Sequence, residues 1–513
     1  MVYYLLQAVF IPLLLSPLAY YLGRKYGVGA STWFTFAVML YSTIMLLIPA
    51  ASGYYAEIYP WSQLGEFGLV LDGLSIPFAI IIYVLSTVLV LYSRPYMVQK
   101  VIEEYHHQQK ESSSGAVKLE VQEVPMHVIN NNIGLYFALF LVFAMGMLGT
   151  VLASNLVEFY VFFELMLVPS FFLVAFYGYG ARKRIALMFF FWTHVGAVVL
   201  LLGLIAMGLS AGSFDMADIS ETTIPTDLLP LIAIAVVIGL IVKLAVFPVH
   251  IWLPYAHAEA PTPISALLSP AMIGIGGYAL MRLLMVLLPE TYNEASLWLS
   301  MGGFITMVYG GAMALMQDDV KRLLAYSSIS QMGYFLFGFA SMNAIGVTGS
   351  VLLYVSHGTG KALLFMMAGM LIMQAGTRSF AKLGGLAGKL PITAVTAMIG
   401  ALAIMGIPPT NGFMAEWMLF FGALQTSLAE GSTLRIVVFG MAIATTVLTA
   451  GYILWMIKRI FFGKLGEGLE NVREGSLYMT APMMFLALIT VVIGIFPEII
   501  TSIVIPFMRD ILG

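Results

Sequence analysis

The chain has no cysteine among its 513 residues, and only 10% of them are charged. Without cysteine there are no disulfides, no thiolate-bound zinc and no cysteine-ligated iron–sulfur cluster within it. Soluble domains carry about 25% charged residues, so a soluble globular fold is excluded too. The formal net charge is −3, and no nucleic-acid partner is expected. What is abundant is apolar: 61% of residues, with a mean hydropathy of +0.96. These proportions define an all-α, polytopic membrane protein embedded in lipid.

A helix crosses a bilayer with about 20 apolar residues. That rule marks fourteen spans: 2–22, 30–51, 72–92, 132–152, 156–177, 183–209, 228–254, 264–288, 296–316, 321–341, 345–375, 391–428, 434–461 and 477–508. The first is too long for a signal-peptide core and lacks a basic segment before it, so it is expected to remain in the mature protein. Loop charge tests the count. The loops after odd-numbered spans, with their flanks, hold 18 of the 23 Lys and Arg, from Arg24 and Lys25 through Lys321 and Arg322 to Arg473. The opposite side keeps only Arg435 and Arg509 and is acidic, with Glu57, Glu66, Asp215, Asp218, Glu221, Asp227, Glu290 and Glu294. Basic loops face the cytoplasm, which predicts a cell-membrane protein with both termini outside. The longest hydrophilic connection, residues 94–132 with a linker at 112–115, is too short for a domain. The outer segment 53–71 alternates apolar and polar residues around Pro60 and Gly65, which predicts a small hairpin.

Four charges lie inside apolar runs: Glu164, Lys243, Lys361 and Glu416. Each costs roughly 3 kcal/mol at the bilayer centre on insertion scales, so the default explanation is an ion or proton path. Two spans are also interrupted. The seventh contains Phe247-Pro248 and runs on through Pro254 to Pro261 and Pro263. The twelfth contains Gly406-Ile407-Pro408-Pro409-Thr410-Asn411-Gly412. Proline removes a backbone donor and breaks the helix, and broken backbone at membrane depth must be buried in protein or line a wet cavity. A pair of interrupted spans in corresponding halves marks inverted-repeat transporters with a midplane ion site. Lys243 precedes one break and Glu416 follows the other. His194, His250 and His357 lie in or near the spans and His257 just beyond the second proline group; histidine can relay protons near pH 7. Glu158, near the outer end of its helix, reads as an interfacial charge.

Several segments resemble one family. Lys243-Leu244-Ala245-Val246-Phe247-Pro248-Val249-His250-Ile251-Trp252-Leu253-Pro254 and Gln317-Asp318-Asp319-Val320-Lys321-Arg322-Leu323-Leu324-Ala325-Tyr326-Ser327-Ser328 look like signatures of antiporter-like subunits. Such subunits occur in respiratory complex I, in Mrp-type sodium/proton antiporters, and in membrane-bound hydrogenases and sulfur reductases. Asp72-Gly73-Leu74-Ser75 and Phe163-Glu164-Leu165 are shorter matches. The resemblance, nearest to M-type and D-type subunits, implies two inverted five-helix repeats, each with one broken helix. It divides the chain into a three-helix region with a cytoplasmic loop (1–130), a first repeat of spans four to eight (131–290), a second of spans nine to thirteen (291–462) and a C-terminal helix (463–513). It implies an ion-translocating (H+ and/or Na+) membrane subunit of a multisubunit oxidoreductase, with no redox centre of its own. Partners would be other antiporter-like and small membrane subunits, and peripheral redox subunits carrying iron–sulfur clusters or a nickel–iron site. A subunit of a redox-independent Mrp-type antiporter is the alternative.

By position, the resemblance makes Glu164 the essential acid of span five and Lys243 its paired lysine. His357 matches a histidine of span eleven, and Glu416 the acid of span twelve; His250 and Lys361 complete the expected ion path. Three positions depart from the family pattern: Gly274 replaces the relay lysine of span eight, Met188 a lysine of span six, and Gln331 a histidine of span ten. Either water or Lys361 would then bridge Lys243 and Glu416, or the relay is cut and the subunit pumps poorly or moves sodium. These departures point towards the hydrogenase or sulfur-reductase branch. Two other classes, a haem- or quinone-binding subunit and a self-contained carrier, predict respectively a visible absorbance spectrum and transport by this chain alone.

Overall fold

The computed structural model describes residues 3–61, 64–112 and 123–512. Residues 113–115 of the expected linker lie outside the described residues, as does Lys118. The chain opens with α1 (Tyr4–Tyr26) and α2 (Val28–Ala50), followed by an antiparallel hairpin of β1 (Tyr55–Pro60) and β2 (Glu66–Leu71). The hairpin appears where alternation placed it, with Tyr55 opposite Leu71 and Pro60 opposite Glu66. It is tied to the helices by its acids. The Glu57 carboxylate accepts the N–H groups of Leu5 (3.0 Å) and Leu6 (2.9 Å), capping α1 from another element. Glu57→Ala should cost about 1–2 kcal/mol through these orphaned donors. A detergent-solubilised variant that melts with the wild type would refute that.

Next come α3 (Ser75–Ser112), α4 (Met126–Leu152), α5 (Leu156–Tyr177), α6 (Arg182–Ala211), the short α7 (Met216–Glu221) and α8 (Leu229–Lys243). After a loop, α9 (Trp252–Glu259) leads to α10 (Thr262–Leu267) and α11 (Ile273–Leu280). The last two form one continuous helix, Thr262–Val286, through π-helical turns at Leu268–Met272 and Met281–Val286. The second half comprises α12 (Pro289–Leu315), α13 (Val320–Phe339), α14 (Ala344–Ala375), α15 (Pro391–Ile404), α16 (Asn411–Glu430), α17 (Thr433–Phe461), α18 (Leu477–Ile495) and α19 (Glu498–Leu512). Among the described residues, eleven helices are long and apolar enough to cross a membrane; α8 and α15 are apolar but shorter. The architecture is therefore an all-α, multi-pass membrane protein with one hairpin.

Burial orders the layers. The apolar windows of α14 and of Thr262–Val286 are wholly enclosed by protein, whereas α1, α6 and α17 turn most of theirs outward. α14 packs on α13, α15, α16 and α3, which makes it the axis of the second half.

Three expectations change. The run 477–508 is not one span: the chain turns at Phe496 and Pro497, and α19 continues as a separate helix against α14. Proline at 497 cannot donate into the preceding turn, which ends α18. Lys321 is not a loop charge. It is fully buried in the first turn of α13, donating to the Ala260 carbonyl. Glu158, read from sequence as an interfacial charge, is not exposed to solvent. It is buried beneath the hairpin and accepts the Gly68 N–H at 3.1 Å.

Candidate functional site: two broken helices and a buried charge line

The first break starts where α8 ends, at Lys243 itself. Residues 244–251 have no regular helix, and Ala245 takes φ 55°, a left-handed conformation unusual for a residue with a Cβ. The freed backbone groups find partners. The Trp252 indole N–H donates to the Val242 carbonyl (2.9 Å), and the Phe247 N–H donates to Thr306 Oγ1 (3.2 Å). A cation in the last turn of α8 also faces the negative end of the helix dipole.

The second break repeats the scheme between α15 and α16. Gly406 has φ 63°, which glycine adopts without steric cost. The Gln331 amide donates to the carbonyl of Ile404, the last residue of α15 (3.2 Å). Asn411, first in α16, donates to Thr359 Oγ1 (3.3 Å). Glu416 reaches back towards the helix start, as side chains on a helix do. Its carboxylate lies so close to Gly406 that a Cβ there would come within 2.5 Å of Oε2. It lines a cleft of about 510 Å³ between α16 and α17, with Trp417 and Phe420.

The sequence-predicted residues fall into three groups. Lys243 is buried, with its ammonium 4.8 Å from the centre of the Phe163 ring. Glu164, the neighbour of Phe163, instead binds His194: Oε2 lies 3.2 Å from Nδ1. Among the described residues Lys243 has no carboxylate oxygen within 4.0 Å, so the expected Glu164–Lys243 contact is open here. His250 packs in the first break between Phe247 and Tyr309, 4.7 Å from the latter's ring centre.

His357 and Lys361 lie on the buried axis α14. The Lys361 ammonium donates to Ser327 Oγ and to the Leu324 carbonyl (3.2 Å) on α13. Neither ring nitrogen of His357 has a partner among the described residues, and the same holds for His257, which stacks on Phe365 at 5.3 Å. Thus α14 carries two of the predicted residues, and Glu416 lies on α16, which packs against it. Met188 is half-buried on α6, while Gln331 donates to the backbone at the second break.

Sequence reasoning missed one pair altogether. Arg282 binds both Asp72 oxygens through Nη2, at 2.8 and 2.7 Å, inside the protein. Asp72 also caps α3 by accepting the N–H of Ser75 (2.8 Å). Among the described residues, no three His, Asp or Glu side chains converge where they could hold a metal ion.

Two apolar helices broken inside the bundle, each with one buried ionisable side chain beside the break, are the features expected of an antiporter-like membrane subunit. Residues 153–449, more than half of the chain, match the family described as NADH:quinone oxidoreductase/Mrp antiporter, TM, and the chain belongs to that family. It is 35% identical over 381 residues to F(420)H(2) dehydrogenase subunit M of Methanosarcina mazei, covering 71% of this chain and 74% of that one. It is 31% identical over 490 residues to NAD(P)H-quinone oxidoreductase chain 4 1 of Nostoc sp., covering 93% and 84%. Its fold superposes on a chain of respiratory complex I from Thermus thermophilus with a TM-score of 0.83 at 24% identity, covering 99% and 100%.

Proposed function

We propose that this chain is the ion-translocating subunit of a multisubunit respiratory oxidoreductase, moving H+ and/or Na+ across the cell membrane as a neighbouring subunit transfers electrons. The observation that carries this reading is the coincidence of a buried ionisable side chain with a broken helix, Lys243 at one break and Glu416 at the other. The buried Lys361 and His357 on the axial helix support it. That the two relatives named above are subunits of electron-transfer enzymes favours redox coupling over an Mrp-type antiporter. On this reading the chain has fourteen spans with both termini outside. Spans four to eight (131–290) and nine to thirteen (291–462) are inverted repeats, each contributing one break, flanked by residues 1–130 and 463–513. Its neighbours are other antiporter-like and small membrane subunits and the peripheral redox subunits.

Glu164 is the switch. Bound to His194, it leaves Lys243 without a counter-ion; turned towards Lys243, it stabilises the ammonium. Redox events in a partner shift Glu164 between these two places. Release from Lys243 sends its proton inward, towards Lys361 and on to Glu416.

The test is ion uptake into vesicles containing the assembled complex, driven by its electron donor, with proton and sodium probes read separately. Lys243→Met should lower ions moved per electron about fivefold or more, within the usual range of coupling between sites, while electron transfer survives. Undiminished uptake would overturn the proposal. Uptake that needs no electron donor would assign the chain to a redox-independent Mrp-type antiporter.

A further inference from the structure

The line of buried ionisable groups has a gap, and what lies in it is a tyrosine. Between the end of α8 and the axial helix α14 stands α11, whose sequence Ile273-Gly274-Ile275-Gly276-Gly277-Tyr278-Ala279-Leu280 holds no acid or base apart from a tyrosine. That tyrosine is committed, since the Tyr278 hydroxyl donates to the Val151 carbonyl at 2.6 Å. Two glycines two positions apart point to opposite sides of this helix. A Cβ on Gly276 would lie 2.9 Å from the amide nitrogen of Leu244, the residue after Lys243. A Cβ on Gly274 would overlap the ring of Tyr354 on α14. So α11 is thin where it separates the two halves, with the broken end of α8 on one side and Tyr354 on the other.

Tyr354 is fully buried, and its ring is fixed by stacking on Phe78 at 4.2 Å. Its hydroxyl has no partner among the described residues. Tyr83 and Tyr92, buried in the same core, donate to the carbonyls of Ala8 (2.7 Å) and Met366 (2.6 Å). Leaving a buried hydroxyl unpaired costs about 1–3 kcal/mol, which a purely structural site would avoid with phenylalanine. Along α14, Tyr354, His357 and Lys361 stand at i, i+3 and i+7, on one face and within about 10 Å of helix axis. The next polar atoms on that face are the two ring nitrogens of His357, also without partners.

We propose that the Tyr354 hydroxyl passes protons between the broken end of α8 and the His357–Lys361 segment, in the space that Gly274 leaves open. The inference rests on the translocation reading above. In each transfer the hydroxyl oxygen accepts a proton on a lone pair and gives up its own towards His357. One O–H bond forms as another breaks, and neither a tyrosinate nor a net charge remains. Gly274 acts as a positioning residue, because any side chain there would displace the ring.

The test compares Tyr354→Phe, Tyr354→His and Lys243→Met in the assembled complex, reading ions moved per electron and complex assembly. Removing an unpartnered hydroxyl should leave assembly intact, and a Tyr354→Phe complex that fails to assemble would overturn the proposal by showing a structural role. The expected result is a loss of about fivefold or more in Tyr354→Phe with electron transfer retained, and partial recovery in Tyr354→His, which keeps a proton-exchanging group there. Wild-type coupling in Tyr354→Phe, beside lost coupling in Lys243→Met, would overturn the tyrosine step and leave the translocation reading standing. Wild-type coupling in both would overturn both. Equal losses in Tyr354→Phe and Tyr354→His would assign the effect to ring placement and overturn the relay.

Discussion

Replacing Asp72 with asparagine should destabilise the protein by roughly 3–5 kcal/mol. The substitution keeps the side chain's shape and its ability to cap α3, and removes only the charge. What it leaves behind is the Arg282 guanidinium, held in the interior by the Tyr278 hydroxyl (3.1 Å) and lying 5.8 Å from the Phe507 ring centre. Breaking a buried ion pair from one side costs roughly 3–5 kcal/mol, because the remaining charge is buried and uncompensated. The damage should spread, since the pair ties three parts of the fold together. Asp72 starts α3, Arg282 lies at the end of the Thr262–Val286 helix, and Tyr278 reaches the end of α4. Arg282→Met in the Asp72→Asn background removes the stranded charge and should recover most of the loss. Thermal unfolding of the solubilised complex checks both. A single variant as stable as wild type, or a double variant no better than the single, would contradict this account of the pair.

That pair also shows where the sequence stops being informative. Asp72 and Arg282 are 210 residues apart, one reading as the first residue of a span and the other as a lone charge within one. Only the packing of α3 against the α10–α11 helix joins them. Lys321 is a similar case. It follows two aspartates and precedes Arg322, a pattern that reads as loop, yet its ammonium is taken up by a carbonyl 61 residues away. The breaks, by contrast, were legible, because proline and glycine act on the backbone they occupy. The four intramembrane charges were legible for the same local reason. What no pattern could supply was their partners: Glu164 binds His194 rather than Lys243, and the Gly274 site belongs to Tyr354. Gly274, seen in sequence as a missing lysine, is in the structure the space into which an aromatic ring fits. The run 477–508 was misjudged for the opposite reason, since apolar composition outweighed the one local signal, Pro497, that ends α18.

Gly412→Ala should abolish ion movement, although a methyl group is the smallest change available. Gly412 is the second residue of α16, and a Cβ there would sit far inside van der Waals contact with the carbonyl oxygen of Ala403 on α15. The obstacle is backbone, so no side chain can rotate away. The nearby Ser356 Oγ, 3.0 Å from the same point, closes the other direction. Either half-helix must therefore shift, and overpacking of this kind costs about 1–3 kcal/mol or more. The functional effect should exceed the stability effect, because α16 carries Glu416 and its carboxylate is placed by contact with Gly406 across the break. Moving α16 outward by a fraction of an ångström withdraws that carboxylate from the break while leaving the rest of the bundle assembled. The expected result is an assembled complex that transfers electrons but moves few ions, with a melting temperature only moderately lowered. Glu416→Gln, which removes the proton-exchanging carboxyl without moving the helix, should give the same transport loss at wild-type stability. Normal uptake in Gly412→Ala would mean that the two half-helices need not approach this closely, and the geometric basis for placing Glu416 at the break would fail.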